Sequence, residues 1–172
     1  MRSIKTIVIL VGILPLVISC AGATKPAWEY EENAITLLIE SDAQLNLRDG
    51  TSHTLSLCVY QLKDPNAFQQ LSGDADGLYK LLECGVFDPS VAMAKRLIIH
   101  PGQNLKGVLD RAEGAKYVAV IAGYYTVEKD RIARFYKIPV KKKGLFHKKM
   151  VPQHLEIQLK LGAQQIMASQ GE

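Results

Sequence analysis

Apolar and polar residues alternate with period two over most of the chain from residue 35 onward, which predicts strands. Ile35, Leu37 and Ile39 alternate with Thr36, Leu38 and Glu40. Leu55, Leu57 and Val59 alternate with Ser56, Cys58 and Tyr60. Leu155, Ile157, Leu159 and Leu161 alternate with Glu156, Gln158 and Lys160, the clearest one-sided strand of the chain. Residues 117–124 are apolar in both registers, which predicts a strand covered on both faces or central in its sheet. Residues 97–100, 105–109 and 132–140 complete a set of about seven or eight strands. The helical signals lie between them. Ala67 to Leu71 suits one short turn, Asp76 caps a helix through Leu78, Leu81 and Leu82 that stops at Gly85, and Asp88-Pro89-Ser90 opens another short turn. The expected fold is mostly β: a two-sheet β-sandwich with an inserted short helical segment around residues 66–96.

The first residues follow a different pattern. Arg2 and Lys5 precede an apolar run from Ile7 to Val17, broken by Gly12 and Pro15. That is the layout of a secretory signal peptide, and it is too short for a comfortable membrane span. The run ends in Val17-Ile18-Ser19-Cys20, the pattern of a bacterial lipobox. In that reading residues 1–19 are removed, the Cys20 thiol receives a diacylglycerol, and Cys20 becomes the first residue of the mature chain. The alternatives are an ordinary signal with a chance cysteine, or an uncleaved anchor. Residues 20–32 read as a lipidated tether, 33–163 as the β-sandwich domain and 164–172 as a C-terminal tail. Trp28 and Tyr30 lie in the tether and rest on the domain or at the membrane interface; the first is favoured.

Length and charge narrow the function. Of 172 residues, cleavage leaves about 150, enough for one domain with a real core. Arg2 and Lys5 leave with the signal, so the formal charge falls from +4 to +2. Nucleic-acid binding is therefore not indicated.

An exported chain meets an oxidising compartment, which bears on the other two cysteines. Cys58 lies mid-strand, facing away from Leu57 and Val59, and Cys84 ends the inserted helix. A helix laid across that face brings the two together, so a Cys58–Cys84 disulfide is expected. Two buried free thiols are the alternative.

No catalytic constellation emerges. His53, His100, His147 and His154 have neither helical i, i+4 spacing nor zinc-type spacing with cysteines. There is no Gly-x-Ser-x-Gly, no phosphate-binding Gly-x-x-x-x-Gly-Lys and no dinucleotide fingerprint. No catalytic residue, metal site or small-molecule substrate is assigned, and the covalent lipid on Cys20 is the only attached group expected. A small periplasmic enzyme would need a polar constellation in a cleft. Two surfaces stand out instead. Lys141, Lys142, Lys143, Lys148 and Lys149 surround Gly144-Leu145-Phe146, which is either a contact for anionic headgroups or, as charge runs more often are, a solvated hairpin. The polar connection from Asp42 to Thr54 is long for a hairpin, and such connections are often functional.

Several short motifs in order resemble the outer-membrane lipoprotein of type VI secretion systems, the TssJ (SciN) family. They are Leu45-Asn46, Tyr60-Gln61-Leu62, Phe68, Leu81-Leu82, Pro101-Gly102 and Ala122-Gly123-Tyr124, together with the lipobox. The resemblance covers nearly the whole chain. It implies a transthyretin-like sandwich held at the inner leaflet of the outer membrane, on its periplasmic face. It also implies a partner, the periplasmic C-terminal region of the TssM-type inner-membrane subunit, and a role in tethering the injection machine to the envelope. Ala21 agrees with outer-membrane delivery under the usual lipoprotein sorting rule, because Asp at that position favours retention in the inner membrane. The family's contact loop joins the first two strands and maps to Leu45, Asn46, Leu47, Arg48, Asp49, Gly50, Thr51 and Ser52, with Asn46 to Gly50 as its exposed part. The resemblance implies no role for the basic segment. The competing reading is a lipoprotein binding module or pilotin for another secretion or surface-assembly system.

Overall fold

The computed structural model describes residues 25–144 and 149–167. The segment 1–19, Cys20 and the centre of the basic segment, residues 145–148, lie outside the described residues. The elements in chain order are β1 (Glu31–Ser41), β2 (Leu55–Leu62), α1 (Asn66–Leu71), α2 (Ala75–Leu82), β3 (Val91–Ile99), β4 (Asn104–Arg111), β5 (Tyr117–Ala122), α3 (Lys129–Ile132), β6 (Ala133–Lys137), β7 (Val140–Lys143), β8 (Lys149–Pro152), β9 (Leu155–Leu161) and β10 (Ile166–Met167). Among the described residues, no helix is long and apolar enough to cross a membrane.

Two four-stranded sheets carry the core, in the orders β10-β9-β1-β4 and β3-β2-β5-β6. The period-two pattern explains how they meet. Ile35, Leu37 and Ile39 of β1 and Ile157, Leu159 and Leu161 of β9 are all buried, while Glu156, Gln158 and Lys160 stay exposed. These two strands pair in parallel, Ile35 with Leu155 through Ser41 with Leu161. Leu57 and Val59 of β2 share a face with Ala122 and Val120 of β5. One continuous cluster of buried apolar residues joins the two sheets.

β2 is buried on both sides, and its last three residues show how. Tyr60 turns toward the helices, where its hydroxyl donates to the Leu81 carbonyl of α2 at 2.5 Å. Gln61 turns toward the opposite sheet. Its Nε2 donates to the Asp110 carbonyl and its Oε1 accepts from the Ala112 N–H, each at 2.7 Å. Both ends of a fully buried amide are thus satisfied, as burial requires. Leu62 is fully buried as well.

Helix α2 starts at Asp74, whose carboxylate accepts from the Gly77 N–H at 2.8 Å. Asp74 therefore takes the cap expected at Asp76, which sits in the first turn instead. The helix ends at Leu82 with Glu83 as its C-cap, and Cys84 rather than Gly85 takes the left-handed position that follows, at φ 54°. Cys84 is bonded there to Cys58 on the helix-covered face of β2, with 5.2 Å between their Cα atoms.

The boundaries differ from the sequence expectation in four places. The helical segment ends at Leu82, and residues 91–96 belong to strand β3, which pairs with β2 from Leu55–Ile99 to Leu62–Val91. Val91-Ala92-Met93-Ala94 has no alternation because β3 is an edge strand with little buried on either face. Ten strands are present among the described residues, not seven or eight. The additions are β7, β8 and β10, of four, four and two residues, too short for a periodic signal. The expected tether docks from Trp28 onward. Trp28 packs on the core and its carbonyl accepts from the Gly114 N–H at 2.7 Å. Arg111, nearly buried, meets the Glu31 carboxylate at 2.7 Å and donates to the Glu29 carbonyl at 3.0 Å. The expected tail likewise contributes β10, because Ile166 has a buried side chain to place.

The pairing defines two poles. At one lie the start of β1 and β9, the ends of β4 and β2, and the beginning of β5. At the other lie the β1–β2, β5–α3 and β9–β10 connections. The length of β1, 11 residues, separates them by about 33 Å.

Candidate functional site

The β1–β2 loop is built from the inside outward. Asp42 opens it with an Asx turn, its carboxylate accepting from the Gln44 N–H at 2.7 Å. Ser41 Oγ donates to the His100 carbonyl at 2.7 Å and accepts from the Gln103 N–H at 2.8 Å, which holds the loop to the β3–β4 turn. Leu45 is fully buried in the core. Asn46 is 5% exposed and adopts φ 49°, a conformation Asn tolerates better than most residues. Its Nδ2 donates to the Thr54 carbonyl at 3.2 Å, and its Oδ1 accepts from the Tyr125 N–H at 3.1 Å. The Leu47 N–H donates to the Ala163 carbonyl at 2.9 Å, tying the loop to the β9–β10 turn.

Beyond this base the loop closes as a miniature hairpin. Arg48 and Thr51 exchange both backbone hydrogen bonds at 2.9 Å. Asp49 and Gly50 form the two-residue tip, with φ of 49° and 75°. Both tip residues need positive φ, and Asp-Gly is among the sequences that supply it. Ser52 Oγ returns to the Ala43 carbonyl at 3.0 Å. The tip is therefore a preformed projection.

Asn46 is buried, contrary to its expected place in the exposed part of the loop, and Leu45, at the edge of the expected contact segment, is buried as well. Leu45 is a core side chain, and both polar ends of the Asn46 amide are used inside the fold. The surface that remains is Arg48, Asp49, Gly50 and Thr51, flanked by the half-buried Leu47, Ser52 and His53. Arg48 and Asp49 approach to 3.6 Å with side chains 59% and 93% exposed, so the pair adds little stability.

Tyr125, which the sequence reading left out, joins this surface and meets His53 of the loop. The Tyr125 ring, 49% exposed, lies under the Arg48 guanidinium at 4.7 Å, and the His53 ring meets it edge-on at 5.4 Å. The available signal was the Tyr124-Tyr125 pair directly after a buried strand. Only Tyr124 turns inward, where burial raises its phenol pKa and its hydroxyl donates to the Gln165 carbonyl at 2.9 Å.

The histidines are dispersed. His154 Nε2 shares a 2.9 Å hydrogen bond with Thr36, His100 is exposed at a turn, and His147 lies outside the described residues. Among the described residues, no group of three His, Cys, Asp or Glu side chains is placed to hold a metal ion. The site is thus a surface of one cation, one anion and two rings, a composition suited to a protein contact.

Comparison with known proteins assigns the chain. A search of curated protein sequences finds no significant match. Among solved structures, the T6SS lipoprotein TssJ1 from Pseudomonas aeruginosa superposes with a TM-score of 0.57 at 17% identity, covering 86% of this chain and 100% of that one. Serratia marcescens Lip, a membrane-bound component of the type VI secretion system, gives 0.58 at 18% identity, covering 80% and 98%. A chain from a structure described as the T6SS protein TssM C-terminal domain (869–1107) from EAEC gives 0.55 at 16%, covering 77% and 94%. At these identities the likeness is one of fold. The family itself comes from the sequence model of the type VI secretion lipoproteins VasD, EvfM and TssJ, which matches residues 33–164 and so takes in both sheets and the whole β1–β2 loop. The chain belongs to the type VI secretion lipoprotein family.

Proposed function

We propose that this protein is the lipid-anchored outer-membrane component of a type VI secretion membrane complex. In this reading Cys20 carries the lipid at the inner leaflet. The exposed tip of the β1–β2 loop binds the periplasmic C-terminal region of a TssM-type inner-membrane subunit, and the pair tethers the injection machine to the envelope. The single observation that carries the reading is the family match over residues 33–164. The two-pole geometry supports it, because the chain arrives from Cys20 at one pole and presents Arg48, Asp49 and Thr51 at the other.

The physics suits a mechanical role. Burying acyl chains contributes about 0.8 kcal/mol per methylene, so one 16-carbon chain supplies about 12 kcal/mol. A lipoprotein with two or three such chains detaches very slowly. The prebuilt tip lowers the ordering cost of binding.

Two experiments test the proposal. Cys20→Ser should abolish palmitate labelling and release the protein from membranes; retention would overturn the anchor. Arg48→Ala with Asp49→Lys should prevent co-purification with the partner's periplasmic region. Unchanged binding by a folded variant would remove the loop from the interface.

A further inference from the structure

The β7–β8 hairpin belongs to neither four-stranded sheet. It leaves the sandwich after β6 and returns before β9, at the pole that holds the start of β1. Its register sets Lys141 opposite Val151, Lys142 opposite Met150 and Lys143 opposite Lys149. Strand alternation therefore gathers Lys141, Lys143 and Lys149 on one face and leaves Lys142 on the other. All four lysines are exposed, and none is ion-paired with another described residue.

The hairpin lies against the arriving N-terminal segment. Lys25 and Ala27 line one surface cleft together with Lys149, Met150 and Val151. Of the acids on that cleft, Glu31 is paired with Arg111, and Glu29 stands against a local excess of lysine. Five residue steps separate Cys20 from Lys25, so the chain allows at most about 18 Å between them. A surface that holds Cys20 is then close to the hairpin lysines.

We infer that the β7–β8 hairpin is a contact for acidic phospholipid headgroups, through Lys141, Lys142, Lys143 and Lys149. It turns the sandwich so that the β1–β2 loop points away from the bilayer. The inference rests on the reading of Cys20 as the lipid anchor. A bilayer fits better than a shaped acidic partner for two reasons. The segment from Val140 to Pro152 contains no arginine, and lysines are mobile point charges suited to a diffuse anionic surface rather than to bidentate recognition. Of the four lysines, Lys149 lines the cleft at this pole, and that cleft also carries Glu29 and Glu31, which oppose a single anionic ligand seated there.

The test uses the chain from residue 20 onward with Cys20→Ser, so that no acyl chain contributes. Flotation is measured with phosphatidylcholine vesicles with and without phosphatidylglycerol. The protein should float with the anionic vesicles only, and added salt should release it. Each Lys→Gln change in the hairpin should lower partitioning about fivefold. The fourfold Lys→Gln variant should lose flotation while keeping its native thermal transition and its binding through Arg48 and Asp49. Equal flotation on neutral vesicles, or undiminished flotation of the fourfold variant, overturns the inference. Palmitate labelling of the unsubstituted chain reads the anchor separately. Failure there removes the orienting role, and flotation still decides the hairpin.

Discussion

The guanidinium of Arg48 lies 4.7 Å above the ring of Tyr125 and joins the β1–β2 loop to the connection after β5. Beneath it, Asn46 accepts from the Tyr125 N–H. The loop tip is therefore held by a second segment that is remote in sequence. In a double-mutant cycle, Arg48→Ala and Tyr125→Ala should couple by about 0.5–1 kcal/mol in urea unfolding, the range for an exposed cation–π pair. Tyr125→Ala should also weaken co-purification with the TssM-type region more than it weakens the fold.

Asn46 is the polar anchor of that loop. Asn46→Ala removes two side-chain hydrogen bonds and leaves φ 49° to a residue that tolerates it poorly. A loss of about 1–3 kcal/mol is expected in denaturant titration. Asn46→Gly should recover only the backbone part.

Removing the disulfide should weaken the clamp between α2 and β2. The cysteines are 26 positions apart, and the chain-entropy relation gives about 3.5 kcal/mol for a loop of that size. Cys58→Ala with Cys84→Ala should lower the unfolding midpoint accordingly. Intact mass should rise by two hydrogens when the Cys20→Ser protein is reduced; no rise would mean free thiols.

The contact between α1 and α2 depends on Gly77. A methyl group there would lie 2.0 Å from the Leu71 carbonyl oxygen, a backbone atom that cannot step aside. Gly77→Ala should destabilise the domain by about 3 kcal/mol or more. Thermal unfolding measures it, with Gly85→Ala as a control that meets open space.

Tyr30 and Asp110 share a pH-sensitive bond. The Tyr30 hydroxyl donates to the Asp110 carboxylate at 2.6 Å, and the Asn33 N–H donates to its other oxygen at 2.9 Å. The bond from Tyr30, with the Asn33 N–H second, lowers the Asp110 pKa below its ordinary 3.8. The same bond raises the Tyr30 pKa to about 12. Asp110's contribution is thus present above its unfolded pKa and lost as pH falls through the lower folded value. Tyr30's is present below 10 and lost as pH rises through about 12. Tyr30→Phe should move the Asp110 titration, followed by carboxyl NMR, up toward the ordinary carboxylate range.

The sequence alone determined the strands whose burial is one-sided or complete. β1, β2, β5 and β9 are written in alternating or continuous apolar residues because each must face a core. It also placed Cys58 on the face opposite Leu57 and Val59, a consequence of strand geometry alone. Only the tertiary structure decided the rest. The parallel pairing of β1 with β9 joins segments far apart in sequence, and no local pattern encodes which strand lies beside which. Val91 to Arg96 became a strand because the edge of β2 was free to pair with it, a tertiary hydrogen-bond opportunity that overrides weak propensity. Asn46 sits in a stretch that reads as exposed, yet its bond from the Tyr125 N–H, beside the buried Leu45, draws it inside. Alternation reports which face of one element is apolar. The neighbour that covers that face, and therefore the surface left for a partner, is settled only when remote segments pack.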